Sequence, residues 1–385
     1  MNFKLYTARI EQYFLNLSIS LFNFLKESSI KIRKKQKERS WKKKLDRIIK
    51  SQWLDNNFQL SDSQEKEIDQ FFKTHGVKID NRWHKVYTYL SGNYHKNFIP
   101  DHLFYLHIEP HFNDFSMFPA FMDKNIYQRF YPDVTQPETI LRCVNHQFFD
   151  EQYNTLSVSD AGFMLQNRHD EDEWMIKPSI HSGKGKNIQI VDYNNDRLSI
   201  NGYQKTLIDL KKDYKGNFII QQKLKQHKIL SQIHPDSVNT IRIMTLRWNN
   251  QIHVLSAFAR FGINGNILDN IGSGGIGFGL NEEGYFSKYG LDYQKKRDAY
   301  HPNFIQPLNN YKFPEYQAVI DTVVRMHQQT FYFDLISWDM TVNQHNTPVF
   351  IEYNLQYQAI NFHQVFNGPL FGELTDDILK DVFSK

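Results

Sequence analysis

The sequence predicts an α+β fold preceded by a mainly helical N-terminal region. Three observations predict it. Thr240–Trp248 and Ile252–Phe261 are strand-like runs around Asn249-Asn250, the pattern of an antiparallel pair. Phe333–Met340 and Val349–Asn354 flank a polar, Asn-rich turn, the pattern of a second hairpin. Residues 314–331 carry Val319, Val323, Val324 and Met326 at helical spacing, which predicts a helix with those four on its buried face. Strands and helices in this order argue against a doubly wound parallel sheet.

The chain has 385 residues, enough for two or three domains at roughly 150 residues each. Its 31 Phe and 21 Tyr supply a large core and argue against disorder. A single cysteine, Cys143, excludes a disulfide framework and a Cys-based zinc site. A reducing compartment is expected, most simply the cytoplasm. Cys143 sits between Arg142 and Val144 and reads as an ordinary core residue rather than a nucleophile.

Residues 1–50 form a basic amphipathic arm. Phe3, Tyr6, Ile10, Tyr13, Phe14, Leu17, Leu21, Phe24 and Leu25 recur at helical spacing. Lys31–Lys50 holds 11 basic residues against two acidic ones, whereas the body of the chain is mildly acidic. The uncharged run Gln12–Leu25 is too short and polar to span a bilayer, which needs about 20 apolar residues. Such an arm fits a helix packed on the body or one lying on an anionic membrane surface. No aromatics interleave with the basic residues as in a nucleic-acid groove, so no nucleic-acid partner is expected.

Residues 51–114 form a mainly helical region, with helix-like segments at Asp62–Phe72 and Asn81–Tyr94. His102, His107 and His111 lack a carboxylate at helical ligand spacing and read as structural or substrate-facing. In residues 115–222, a helix-like segment opens at Asp123-Lys124-Asn125 and ends before Pro132. Strands are predicted over 137–144, 174–178, 188–191 and 218–222. Residues 223–385 hold the antiparallel pair, the glycine run Gly272–Gly277, the helix, the hairpin and a helical C-terminus at Leu374–Phe383.

Two elements carry chemistry. In the hairpin, Glu352 and Asn354 are two residues apart and share one face of their strand. Asp339 on the partner strand can face them, and two carboxylates with an amide oxygen suit Mg²⁺. The polar face of an amphipathic hairpin fits these residues equally well. The second element is Lys177 at a strand end, followed by the small-residue loop Ser179–Gly185. Its lysine neutralises phosphate charge, and glycines admit backbone N–H groups close to phosphate oxygens. The loop is neither a P-loop nor G-x-G-x-x-G, and alone it reads as a β-hairpin turn.

The order of these elements resembles the ATP-grasp superfamily of carboxylate–amine ligases. Lys124 is followed by Lys177 with its glycine loop, then by an apolar strand ending in Gln221-Gln222. Asp339 comes last, with Glu-x-Asn 13 positions later. More narrowly, four segments resemble the sugar-transfer-associated ATP-grasp family. They are Phe121–Asn125, Val238–Arg242, Asp269-Asn270 with its glycine run, and Trp338-Asp339 with Ile351–Asn354. The resemblance covers roughly residues 100–370. It implies a fold of two α+β subdomains clasping ATP, a small one with the phosphate loop and a large one with the metal site. It implies ATP and Mg²⁺ as cofactors. Lys124 and Lys177 would contact the phosphates under a loop of Ser179, Gly183 and Gly185. Gln221, Gln222 and Leu224 would form the hinge that meets adenine. Asp339, Glu352 and Asn354 would hold the metal, and Arg242 would stabilise the transferred phosphoryl group beside Lys177. Asn239, Thr240, Asp269, Asn270, Gly274 and Gly275 would line the substrate pocket.

The implied reaction joins a small-molecule carboxylate to an amine through an acyl phosphate, in polysaccharide or surface-glycan biosynthesis. An amino acid, a uronic acid or a sugar nucleotide would be the substrate. The arm would place the enzyme at the inner membrane face. Two rivals are a kinase on the same fold and a non-catalytic glycan- or membrane-associated scaffold. The sequence departs from the family pattern at Ser337, where many such ligases place an arginine that Arg242 would replace. Lys223–Ile233 contains no carboxylate for the ribose, leaving Gln226 or His227 to serve.

Overall fold

In the computed structural model, the residues described are 32–33, 35–51, 54–55, 57–168, 173–180, 182–194, 197–200, 202–292, 294, 300–304 and 306–384. The first 31 residues of the arm lie outside them, so the helical reading of Phe3–Leu25 is not described. Residues 35–49 are helical.

Two antiparallel sheets organise the rest. The first has eight strands: β1 Thr139–Val144, β2 Gln147–Phe149, β3 Thr155–Leu156, β4 Trp174–Pro178, β5 Gln189–Asn194, β6 Arg197–Ile200, β7 Tyr203–Lys205 and β8 Phe218–Gln222. Their order is β3-β2-β1-β8-β4-β5-β6-β7. Strand β8 lies between β1 and β4, which is why its Phe-Ile-Ile run is continuously apolar. Helices Val158–Gln166 and Leu207–Asp213 cover this sheet through Ala161, Leu165, Leu207 and Leu210. Each begins at a capping box, Ser157 with Asp160 and Thr206 with Asp209.

The second sheet has six strands: β9 Thr240–Trp248, β10 Gln251–Phe261, β11 Ile276–Leu280, β12 Leu291–Asp292, β13 Leu335–Val342 and β14 Pro348–Asn354. Their order is β12-β11-β10-β9-β13-β14. Every residue of β13 is buried because both faces are covered. Ile336, Trp338 and Met340 point to helix Tyr316–Gln329, where they meet Val319, Val323 and Met326. Val324 is only half-buried, and Thr322 and His327 take the remaining buried places on that helix. Leu335 points the other way with Met244 and Leu246, into a core with Phe72, Phe104, Ile108 and Leu379. The N- and C-terminal helices thus pack on the face that also carries Asp339, two strand positions from Ser337.

Polar clamps fix the N-terminal region on this face. Asn113 Nδ2 donates to the carbonyls of Leu335 and Leu355, and its Oδ1 accepts from the Leu335 N–H. Gln364 accepts from the Ile99 N–H and donates to the Ile99 carbonyl. Met117, Phe118, Phe121, Tyr127 and Tyr131 also pack into the six-stranded sheet's core, although they precede the eight-stranded sheet in the chain. Their aromatic rings fill the space above Trp338, Phe350 and Tyr353.

Candidate active site

A cavity of about 880 Å³ opens between the two sheets. Its floor is the end of the six-stranded sheet, where three strands converge. Antiparallel register sets Arg242 of β9 opposite Asp339 of β13, Asp339 opposite Glu352 of β14, and Ser337 opposite Asn354. On β10, Arg260 is paired with Thr240.

These side chains form one hydrogen-bonded cluster. Arg242 grips Asp339 with two bonds, Nε to Oδ1 at 2.7 Å and Nη2 to Oδ2 at 2.6 Å. Arg260 Nη2 lies 3.1 Å from the same Oδ2, and its Nε lies 3.3 Å from Asp269 Oδ2. Arg260 also donates to Thr240 Oγ1, whose hydroxyl donates to Asp269. Asn354 Nδ2 approaches Asp339 Oδ2 at 3.5 Å. Burial would raise the Asp339 carboxyl, but the two guanidinium groups outweigh it and hold the carboxyl down at about 2. Asp269, half-buried and contacted by one arginine, goes the other way: loss of water around it holds its carboxyl above the ordinary value.

Lysines close the other side. Lys124 Nζ pairs with Glu352 Oε2 at 3.0 Å and donates to Ser182 Oγ at 2.7 Å, joining the loop 179–185 to the sheet floor. Lys177, on β4, is pushed down to about 8 by burial, reinforced by Lys124 and partly offset by Glu352. Gly185 has φ +69, and a Cβ there would meet Leu268 Cδ2 at 2.9 Å. The loop therefore reaches across the cleft to the segment bearing Asp269. Near the end of β8, Gln221 lines the cavity with its side-chain oxygen buried and without a partner among the described residues, while its Nε2 donates to the Pro137 carbonyl.

The cavity thus gathers Lys124, Lys177, Gly183, Gly185, Gln221, Gln222, Leu224, Thr240, Arg242, Asp269, Asn270, Asp339, Glu352 and Asn354. Four expected site residues are not in its wall. Asn239 is buried with its amide donating to the Leu230 and His234 carbonyls, so it holds backbone together. Gly274 has φ +106 and forms the turn after Ile271–Ser273. Gly275 leaves room for the Asp269 carbonyl, which a Cβ would meet at 2.5 Å. Ser179 is fully buried, and the loop hydroxyl that reaches the cavity belongs to Ser182.

The two polar residues considered for the ribose are also occupied elsewhere. Gln226 donates to the His234 and Ser237 carbonyls, and His227 Nδ1 accepts from the Ile229 N–H. The first carboxylate after β8 to line the cavity is Asp236. The residue most clearly missed is Arg260. Its signal is a charge in the apolar run Ala257-Phe258-Ala259-Arg260-Phe261, two positions from Phe258, which faces Arg242 across the strands.

Among the described residues no group of three His, Cys, Asp or Glu side chains could hold a metal ion. Two carboxylates with an amide still fit Mg²⁺, which takes one or two protein carboxylates and completes its shell with water and phosphate oxygens. The Gln221 oxygen likewise fits a buried hydrogen-bond donor such as an exocyclic amine. Cys143 is buried with its thiol pushed up to about 11, unsuited to nucleophilic work. His111 contacts Asp381 at 2.6 Å on the surface, away from the cavity wall.

A comparison with protein families matches residues 105–378 to the one described as sugar-transfer associated ATP-grasp. The chain belongs to this family. Its fold is therefore the ATP-grasp fold, with a helical region before it. No curated protein matches. Similar solved structures include the L-amino acid ligase from Bacillus licheniformis, at 12% identity and a TM-score of 0.38, covering 70% of this chain and 49% of that one. The D-alanine–D-alanine ligase from Bacillus anthracis has 14% identity and a TM-score of 0.35, covering 68% and 66%. The VanG D-Ala:D-Ser ligase from Enterococcus faecalis has 13% identity and a TM-score of 0.38, covering 67% and 60%. The matched part thus spans about half to two thirds of those chains.

Proposed function

We propose that this ATP-grasp protein is a Mg-ATP-dependent ligase that activates a small-molecule carboxylate as an acyl phosphate for attack by an amine. The observation that carries this reading is the convergence of Lys124, Lys177, Arg242 and Arg260 with Asp339, Glu352 and Asn354 on one cavity. With Lys223, Asp236 and Asp269 included, five cationic side chains line the cavity against four carboxylates, so it favours an anionic ligand.

In this reading Lys124 and Lys177 take the phosphates, with Ser182, Gly183 and Gly185 closing over them. Gln221, Gln222 and Leu224 meet the adenine, and Asp236 reaches a ribose hydroxyl. Asp339, Glu352 and Asn354 would hold Mg²⁺, which draws charge from the phosphoryl group in transfer. A carboxylate oxygen of the substrate attacks the terminal phosphorus, and ADP leaves. The amine nitrogen then attacks the acyl carbon, phosphate leaves, and the nitrogen loses a proton to give the amide. Arg242 and Arg260 sit where negative charge develops and stabilise it through fixed donors. Thr240, Asp269 and Asn270 face the acceptor side. We assign the acid and amine to amino acids, uronic acids or sugar nucleotides in surface-glycan biosynthesis, with the enzyme in the cytoplasm.

A phosphate-release screen of amino acids against uronic acids and sugar nucleotides tests this. Release that needs both an acid and an amine, and that Glu352→Gln abolishes in a folded protein, is the expected result. A stable phosphoester product would instead make the protein a kinase. Full activity of Glu352→Gln would sink the metal assignment.

The basic arm is assigned to peripheral contact with the inner membrane face. No helix among the described residues is long and apolar enough to cross a membrane. Leu45 is buried, so charge reversal is a cleaner test than deletion. Lys35→Glu with Lys37→Glu and Lys43→Glu should weaken sedimentation with anionic vesicles; unchanged partitioning rejects the assignment.

A further inference from the structure

A second cavity, of about 510 Å³, shares no wall residue with the first. It forms where helix 35–49 crosses helix Arg82–Ser91 and the segment 101–107, with Phe383 of the C-terminal helix at one side. Its floor is apolar and aromatic: Trp41, Leu45, Trp83, Leu103, Leu106 and Phe383. Its volume falls in the range of small-molecule pockets, roughly 300–1,000 Å³.

The rim is charged and unevenly so. Lys42 and Lys78 are exposed at the edge. Of the two rim acids, Asp80 is already held by Arg82, through Nε at 2.8 Å and Nη2 at 2.6 Å. Glu38 is the other. The rim imidazole His102 is shifted below its ordinary value by burial, opposed by the nearby Asp101, Asp80 and Glu38. Beside the opening, helix 35–49 exposes Lys35, Lys37, Arg39, Lys43 and Arg47. An apolar floor, a lysine edge and a basic face around it complement an amphiphile with a negative head.

We propose that this pocket takes the acyl chain of an anionic membrane lipid, whose headgroup rests on Lys42 and Lys78. Membrane anchoring needs two signals, since a single chain or a few charges binds only marginally. The pocket supplies the first, at about 0.8 kcal/mol per buried methylene. The basic helix supplies the second, at about 1 kcal/mol per lysine or arginine near an anionic surface. A chain of ring contacts runs from this pocket to the first cavity. Trp41 stacks on Tyr105 with centroids 4.9 Å apart, and Tyr105 packs 5.9 Å from Tyr357, which lines the first cavity. This proposal does not depend on the ligase assignment, and it adds a chain-binding pocket to the electrostatic contact of the arm.

Full-length protein mixed with phosphatidylglycerol vesicles brominated on the acyl chains tests it, read by tryptophan quenching. Trp41 and Trp83 should be quenched, and brominated phosphatidylcholine vesicles should quench little. Lys42→Glu with Lys78→Glu lies on the exposed edge and should weaken the apparent affinity about tenfold or more. Val77→Phe with Leu106→Phe fills the cavity; that protein should still sediment with anionic vesicles but lose the quenching. Quenching unchanged by filling the pocket, or wild-type sedimentation with no quenching, would overturn the proposal. Should the filled variant fail to fold, the lysine pair decides: wild-type quenching and affinity there would also overturn it.

Discussion

Asp339→Asn tests whether the cluster is organised by charge. Asp339 is fully buried and answers two guanidinium groups, with Arg242 bound at both oxygens and Arg260 at 3.1 Å. Asparagine keeps the shape but removes the charge, and its NH₂ would face a donor. Removing one partner of a buried pair costs about 3–5 kcal/mol because the other charge stays buried and uncompensated. With a urea m-value near 3 kcal/mol/M, this moves the unfolding midpoint down by roughly 1–2 M. Trp338, the adjacent buried residue, is one of six tryptophans whose fluorescence reports unfolding. Adding Arg242→Gln to Asp339→Asn removes the guanidinium left without its carboxylate and should cost less than the sum of the two single changes. A midpoint shift worth under about 1 kcal/mol, or strict additivity in the double variant, would refute a charge-organised cluster.

Lys177, held at about 8, must be protonated to attract phosphate. ATP affinity should therefore fall as pH rises above about 8, with net proton uptake on binding measured by calorimetry in two buffers; release instead of uptake would contradict it. Glu109 is pushed up to about 8 by burial, despite hydrogen bonds from Gln358 and Tyr357. The native state then binds more protons than the unfolded chain between about 4.5 and 8, so its contribution to stability falls as pH rises through that window. Glu109→Gln should flatten that dependence in urea melts at pH 5 and 8, and an unchanged slope would count against it. Gly275→Ala forces its Cβ toward the Asp269 carbonyl and should lower both thermal stability and ATP turnover. Cys143, buried with its thiol raised, should resist iodoacetamide until the protein unfolds.

The parts legible in the sequence were those with a local signal. Strands β4, β8 and β9 follow from apolar runs bounded by polar or small residues, and Asn249-Asn250, both with positive φ, marks the turn between β9 and β10. The pairing of Asp339 with Glu352 follows from two-residue periodicity across a polar turn. What was not legible depends on contacts distant in sequence. Arg260 gains its partners only when Asp269 and Asp339 are brought beside it by loop and sheet. Asn239 and Gln226 look like binding residues because they are polar near a motif. In the fold they satisfy the buried carbonyls of Leu230, His234 and Ser237, a demand set by chain path. Gly274 takes a positive φ in the turn, and Gly275 lets the Asp269 carbonyl approach, so their glycine signal has a backbone cause.

The central claim is that the cavity transfers phosphate to a carboxylate. Oxygen-18 placed in the carboxylate of the acids in the screen, with the amines and Mg-ATP present, tests it most directly. Activation as an acyl phosphate predicts one labelled oxygen in each phosphate released alongside the amide. Unlabelled phosphate, with the label retained entirely in the acid or its product, would contradict it.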